Sequence, residues 1–72
     1  MISTASDFKM LDVFHEAAEL GDSEVATSMA IGLAYATKTD PYTVLETIKS
    51  LGHEADKKMA SAIIKAVDDV RA

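Results

Sequence analysis

The sequence predicts an all-α fold, a compact bundle of four short helices at about residues 6–20, 23–37, 41–51 and 54–70, with no sheet. Three observations carry that reading. Three punctuation marks cut the chain into segments of helical length. Within each segment the apolar residues recur at helical spacing. No Asn-Gly hairpin signal and no sustained apolar/polar alternation is present. The composition agrees: 49% of the residues are hydrophobic, with twelve alanines, three glycines, one proline and no tryptophan. That is an ordered, helix-rich composition.

The first mark is Leu20-Gly21-Asp22-Ser23. Its glycine suits a helix C-terminus, and Asp22 and Ser23 are both N-cap candidates for the next helix. In the second, Thr39-Asp40-Pro41, an N-cap acid stands before a proline at the first helical position, where the missing N–H costs nothing. The third is Leu51-Gly52-His53, a glycine stop followed by acids at the head of a new helix. Placing residues 100° apart gives each helix a face. In helix 1 it is Met10, Leu11, Phe14, Ala17 and Ala18, widened by Val13 and Leu20, with Asp12, Glu16 and Glu19 opposite. Helix 3 has a narrow seam of Val44, Leu45, Ile48 and Leu51, with Tyr42 outside it. Helix 4 groups Ala55, Met59, Ile63, Ala66, Val67 and Val70, and turns Lys57, Lys58, Ser61, Lys65, Asp68 and Asp69 away.

Helix 2 is different, because eight apolar residues run together from Met29 to Ala36. A helix apolar all round must be buried all round. Val25, Met29, Leu33 and Ala36 form a core stripe. Ile31 and Tyr35 lie one turn apart on the other side, with Ala30, Gly32 and Ala34 as small residues between. Helix 2 is therefore expected at the centre of the bundle. A chain of 72 residues buries only about 60% of its unfolded surface and is marginally stable. It has no cysteine, so disulfides and thiolate metal sites are excluded. Oligomerisation is the means of stabilisation left, and Ile31, Tyr35 and Ala34 are the expected interface of a homodimer.

The net charge is −5, and residues 1–36 carry the whole excess: six acids against Lys9 alone. Residues 37–72 hold six acids and six bases. An acidic half repels phosphate backbones and favours a basic protein partner, which Asp12, Glu16 and Glu19 are expected to face. Nucleic acid is an unfavourable partner. Helices 2 and 3 allow a helix-turn-helix reading, with Tyr42, Thr43, Glu46, Thr47, Lys49 and Ser50 offered to DNA. That helix has one lysine, and the chain has one arginine and no Asn or Gln to read bases.

Two further motifs bear on chemistry. His15-Glu16-Ala17-Ala18-Glu19 is similar to the zinc-protease helix His-Glu-x-x-His, but Glu19 takes the place of the second histidine. With His53 in a turn and no third donor in view, no metal site and no cofactor are expected. Gly21-Asp22-Ser23 resembles the Asp-Ser-Leu site of acyl carrier proteins, which are also small, acidic four-helix bundles. The resemblance implies a phosphopantetheine arm on Ser23. Glu24 stands where that motif has leucine, and no long loop separates helices 1 and 2. Catalysis has no support: no histidine stands at helix spacing beside a serine or threonine, and no glycine-rich phosphate loop is present.

The sequence thus describes one helical domain, residues 1–72, with residues 1–5 as a flexible lead. The N-terminus lacks the basic and apolar regions of a signal peptide, and the Met29–Ala36 run is too short to cross a bilayer. A cytoplasmic protein is expected. Its expected function is that of a non-catalytic interaction module: an adaptor, inhibitor or regulatory factor. A DNA-binding regulator is the alternative, and a carrier domain modified at Ser23 a more distant one.

Overall fold

Two-residue connections join the helices in pairs. α1 (Thr4–Leu20) meets α2 (Ser23–Thr37) across Gly21-Asp22, and α3 (Pro41–Leu51) meets α4 (Glu54–Arg71) across Gly52-His53. The computed structural model describes residues 4–71, and the side chains of residues 9–70. All four helices lie where the sequence places them, within two residues at every end. α1 includes Thr4 and Ala5 of the expected lead, and residues 1–3 lie outside the described residues.

The chain punctuates itself as the local chemistry requires. At the end of α1, Gly21 adopts φ +75 and the amides of Gly21 and Asp22 donate to the carbonyls of Ala18 and Ala17. This is a Schellman ending, which needs a left-handed residue. Asp22, rather than Ser23, caps α2 by accepting from the Val25 amide. The same ending closes α2, with Lys38 in the left-handed position at φ 58. Its amide donates to the Tyr35 carbonyl and that of Thr39 to Ala34. Asp40 caps α3 with both oxygens, taking the Thr43 amide and hydroxyl at 2.9 Å each, and Pro41 follows at the first turn. These bonds favour the ionised carboxylate and hold the Asp40 carboxyl below its usual pKa, the Thr43 amide contributing most.

Gly52 departs from the expected glycine stop. It is extended (φ −78, ψ 176), so no positive φ requires it. Space does. A Cβ at this position would lie 2.7 Å from the Ile48 carbonyl oxygen and 2.9 Å from Asp56 Cβ. Glycine lets α4 turn back tightly over the end of α3.

The pairs pack so that α2 and α4 each touch all three other helices, while α1 and α3 lie diagonally without close backbone approach. Helix 2 therefore shares the central role with α4. The core is built from Phe14, Leu45, Ile48, Met59, Ile63 and Ile64, set among fully or nearly buried Ala17, Ala26, Ala30 and Ala60. The alanines admit close helix approach. Gly32 leaves room for the Met10 side chain of α1, whose sulfur would lie 2.8 Å from a Cβ at that position.

Three faces differ in phase from the sequence reading. In α2 the buried row is Ala26, Ala30, Leu33 and Ala34, while Val25 and Ala36 are exposed and Met29 only partly covered. In α3, Leu51 is exposed and the half-buried Tyr42 packs against the core, the reverse of the expected arrangement. In α4 the inward row is Asp56, Met59, Ala60, Ile63 and Ile64. Ala66, Val67 and Val70 are exposed, and they line an open cavity with Ser23 and Thr27 of α2. On α1, Leu11 and Leu20 are likewise exposed. No described helix is long and apolar enough to cross a membrane.

Candidate functional site

Among the described residues, Asp56 is the one charged side chain in the buried set, and a cluster of polar groups forms around it. It stands three residues after His53, in the first turn of α4. Its Oδ2 accepts the His53 amide at 3.4 Å, so the N3 carboxylate reaches back to the residue before the helix, as in a capping box. Its Oδ1 accepts from His15 Nδ1 of α1 at 2.8 Å. The second ring nitrogen of His15 faces Glu19 Oε2 at 3.4 Å, one turn along the same helix. His53 Nδ1 lies 3.7 Å from Asp56 Oδ2, and the two imidazoles meet edge to face with centroids 5.6 Å apart.

The burial differs sharply across the group. The Asp56 side chain is 11% exposed, that of His15 39% and that of His53 88%. Asp56 thus lies at the base, His15 is a partly covered partner, and His53 is an exposed side chain at the rim. The hydrogen bond to Asp56 raises the His15 pKa above its ordinary value. The charge of Asp56 adds to this, burial opposes it, and the charges of Glu19 and Asp12 add lesser contributions.

A cavity of about 420 Å³ opens beside the cluster. His15, His53 and Asp56 share its lining with the apolar side chains of Leu11, Phe14 and Ile48. One ring nitrogen of His15, one of His53 and one carboxylate oxygen of Asp56 lie within 4.8 Å of one another. The sequence reading found His15 and Glu19 but not this grouping. It left His53 isolated in a turn and saw no third donor, and the fold supplies both. One signal was present: Asp56 lies on the same helical row as Ala60 and Ile63, and an acid on an apolar row needs a buried partner.

The acidic residues expected to face a partner divide. Asp12, Glu16 and Glu19 are all exposed. Glu19 pairs with His15, and Asp12 lines the cavity beside it, so these two belong to the histidine cluster.

The second candidate is the outer flank of α2. Ile31 is 48% exposed and Tyr35 86%, one turn apart. Ala34, placed with them by the sequence reading, is buried at 3% and supports the flank from beneath. Thr27, one turn before Ile31, helps line a cavity of about 370 Å³ with Ala66, Val67 and Val70 of α4.

Comparison with family models, with curated proteins and with solved structures finds no match to this chain. Function is therefore argued from these two sites alone.

Proposed function

We propose that this protein is a small, acidic, non-catalytic interaction module of the adaptor, inhibitor or regulator kind, and that it acts as a homodimer through the outer flank of α2. The supporting observation is the exposure of Ile31 and Tyr35 on consecutive turns of a well-capped helix. A tyrosine ring desolvates much apolar area with few rotors, and its hydroxyl tolerates the wet rim of an interface. Across a two-fold axis, Tyr35 of one protomer meets the Ile31 side of the other, so one patch serves both.

A stable interface buries about 800 Å² per partner. Two side chains do not supply that, so the contact extends to Thr27, Ser28 and Lys38 around them. Dimerisation also meets a need of the chain. At this length the core is small, and several core positions hold only alanine methyls. The exposed acids Asp12, Glu16 and Glu19 suit a basic protein as the second partner.

Light scattering of the purified chain tests the dimer. A mass near twice 7.7 kDa is expected. Tyr35→Glu is expected to give a folded monomer, because a charge buried at the centre of an apolar contact is strongly disfavoured. A wild-type protein that stays monomeric at its highest soluble concentration refutes the homodimer.

A further inference from the structure

We propose that His15, His53 and Asp56 form a binding site for one divalent transition-metal ion of the zinc class, with Glu19 orienting His15. This site lies on α1 and the head of α4, and it stands or falls independently of the α2 dimer.

The donor chemistry selects the ion. Two imidazoles and a carboxylate suit Zn²⁺, Co²⁺, Ni²⁺ or Fe²⁺, and not the all-oxygen shells of Mg²⁺ or Ca²⁺. Three protein donors leave a further coordination position for water or an outside ligand. The spacing is close to what such an ion needs. Donors about 2.0–2.1 Å from a tetrahedral ion lie roughly 3.3 Å from one another. Here His15 Nδ1 and Asp56 Oδ1 are 2.8 Å apart, and His53 Nδ1 is 3.7 Å from Asp56 Oδ2. The remaining separations are at most 4.8 Å. The residue that must adjust is His53, whose side chain is largely exposed and has room to turn. Asp56 and His15 are already held.

Two details turn proximity into a site. First, His53 and Asp56 come from one turn, fixed by the bond from the His53 amide to Asp56, so two of the three donors are set by the start of α4 itself. Second, Glu19 faces the His15 nitrogen that points away from Asp56. When a metal takes the Nδ1 lone pair, the proton resides on Nε2, and Glu19 accepts it. A carboxylate on the distal imidazole nitrogen is the usual second partner of a metal-bound histidine, fixing its tautomer and raising its basicity. Binding releases the Nδ1 proton that now bonds Asp56, so affinity rises with pH. The apolar wall of Leu11, Phe14 and Ile48 covers one side and lowers competition from water.

The test uses the full chain, stripped of metal by chelator and titrated with ZnCl₂ by calorimetry and with CoCl₂ by visible absorption. One equivalent is expected, with ring signals of both His15 and His53 shifting in NMR spectra. His53→Ala removes a solvent-exposed side chain and leaves the fold intact, as circular dichroism will verify. It is expected to weaken Zn²⁺ binding by a factor of roughly ten or more, as is His15→Ala, and Glu19→Gln by a smaller factor. Absence of Zn²⁺ binding overturns the proposal. So does an affinity unchanged in His53→Ala, which would place the ion elsewhere on the acidic surface.

Discussion

The same substitution at two glycines is predicted to change stability in opposite directions. At Gly32, mid-way along α2, alanine gains about 0.8–1.0 kcal/mol of intrinsic helix preference. Against this, the new methyl meets the Met10 sulfur at 2.8 Å. That sulfur lies near the end of a flexible, partly exposed side chain bordering an open cavity shared with Lys9, Val13 and Met29. Moving it costs about 0.5 kcal/mol, the lower end for an off-rotamer adjustment. Gly32→Ala is therefore expected to stabilise the fold by roughly 0.3–0.5 kcal/mol, or about 1–4 °C in Tm. At Gly52 the new methyl meets the Ile48 carbonyl oxygen at 2.7 Å, and backbone cannot turn aside. Gly52→Ala is expected to cost about 1–3 kcal/mol, the range for overpacking. Urea unfolding followed at 222 nm, with m-values compared, measures both. If Gly32→Ala destabilises at unchanged m, the α1–α2 approach is set by rigid backbone and the assignment of give to Met10 is wrong. If Gly52→Ala is neutral, the tight turn over α3 is wrong.

Three further substitutions probe the core, a cap and the histidine cluster. Phe14 is 1% exposed, and Phe14→Ala is expected to cost about 3–5 kcal/mol. Total stability for a chain this size is roughly 4–11 kcal/mol, so calorimetry should find the variant largely unfolded or close to it. Lys38→Gly relieves a left-handed residue and is expected to stabilise by about 1 kcal/mol in denaturant titration, whereas Lys38→Ala gains nothing. In metal-free protein, NMR titration is expected to place the His15 pKa above the usual value near 6.5. Because the folded-state pKa is raised, the stability from protonated His15 is fully present below about pH 6.5 and disappears as pH rises through the folded value. Asp56, His53, Glu19 and Asp12 are the titratable groups around it, and His15→Gln should flatten the dependence of Tm on pH across this window.

Helix existence and limits were legible because they depend on local chemistry. Gly21, Asp40 and Pro41 act on their own neighbours, and each does in the fold what its type allows. Phase was less legible. The apolar residues of α4 span a wide arc, and only the other helices decide which part is covered. They cover Ala60 and Ile64 and leave Val67 and Val70 in solvent, so counting apolar residues at 100° selected a neighbouring arc. The same holds for α2, where alanines rather than Val25 and Ala36 face inward. The histidine cluster was out of reach for a different reason. His15 and Asp56 are 41 residues apart, and no pattern within either helix specifies that α1 crosses the start of α4 at that level. Local phase set Ile31 and Tyr35 apart from the core stripe of α2, but not Ala34, which was grouped with them and is buried.

The pairing of helices across two-residue connections has a kinetic consequence. Each half closes over neighbours in sequence, at little loop entropy, so both form early and the chain should fold in microseconds to milliseconds. What remains is the docking of one half on the other. The Asp56–His15 bond spans that seam, and it joins residues that meet only once docking is complete. Such a bond is absent from a transition state made of the two halves. Disrupting it should leave the folding rate nearly unchanged and appear as faster unfolding. The cluster that stands out chemically would then also set how long the native state lasts.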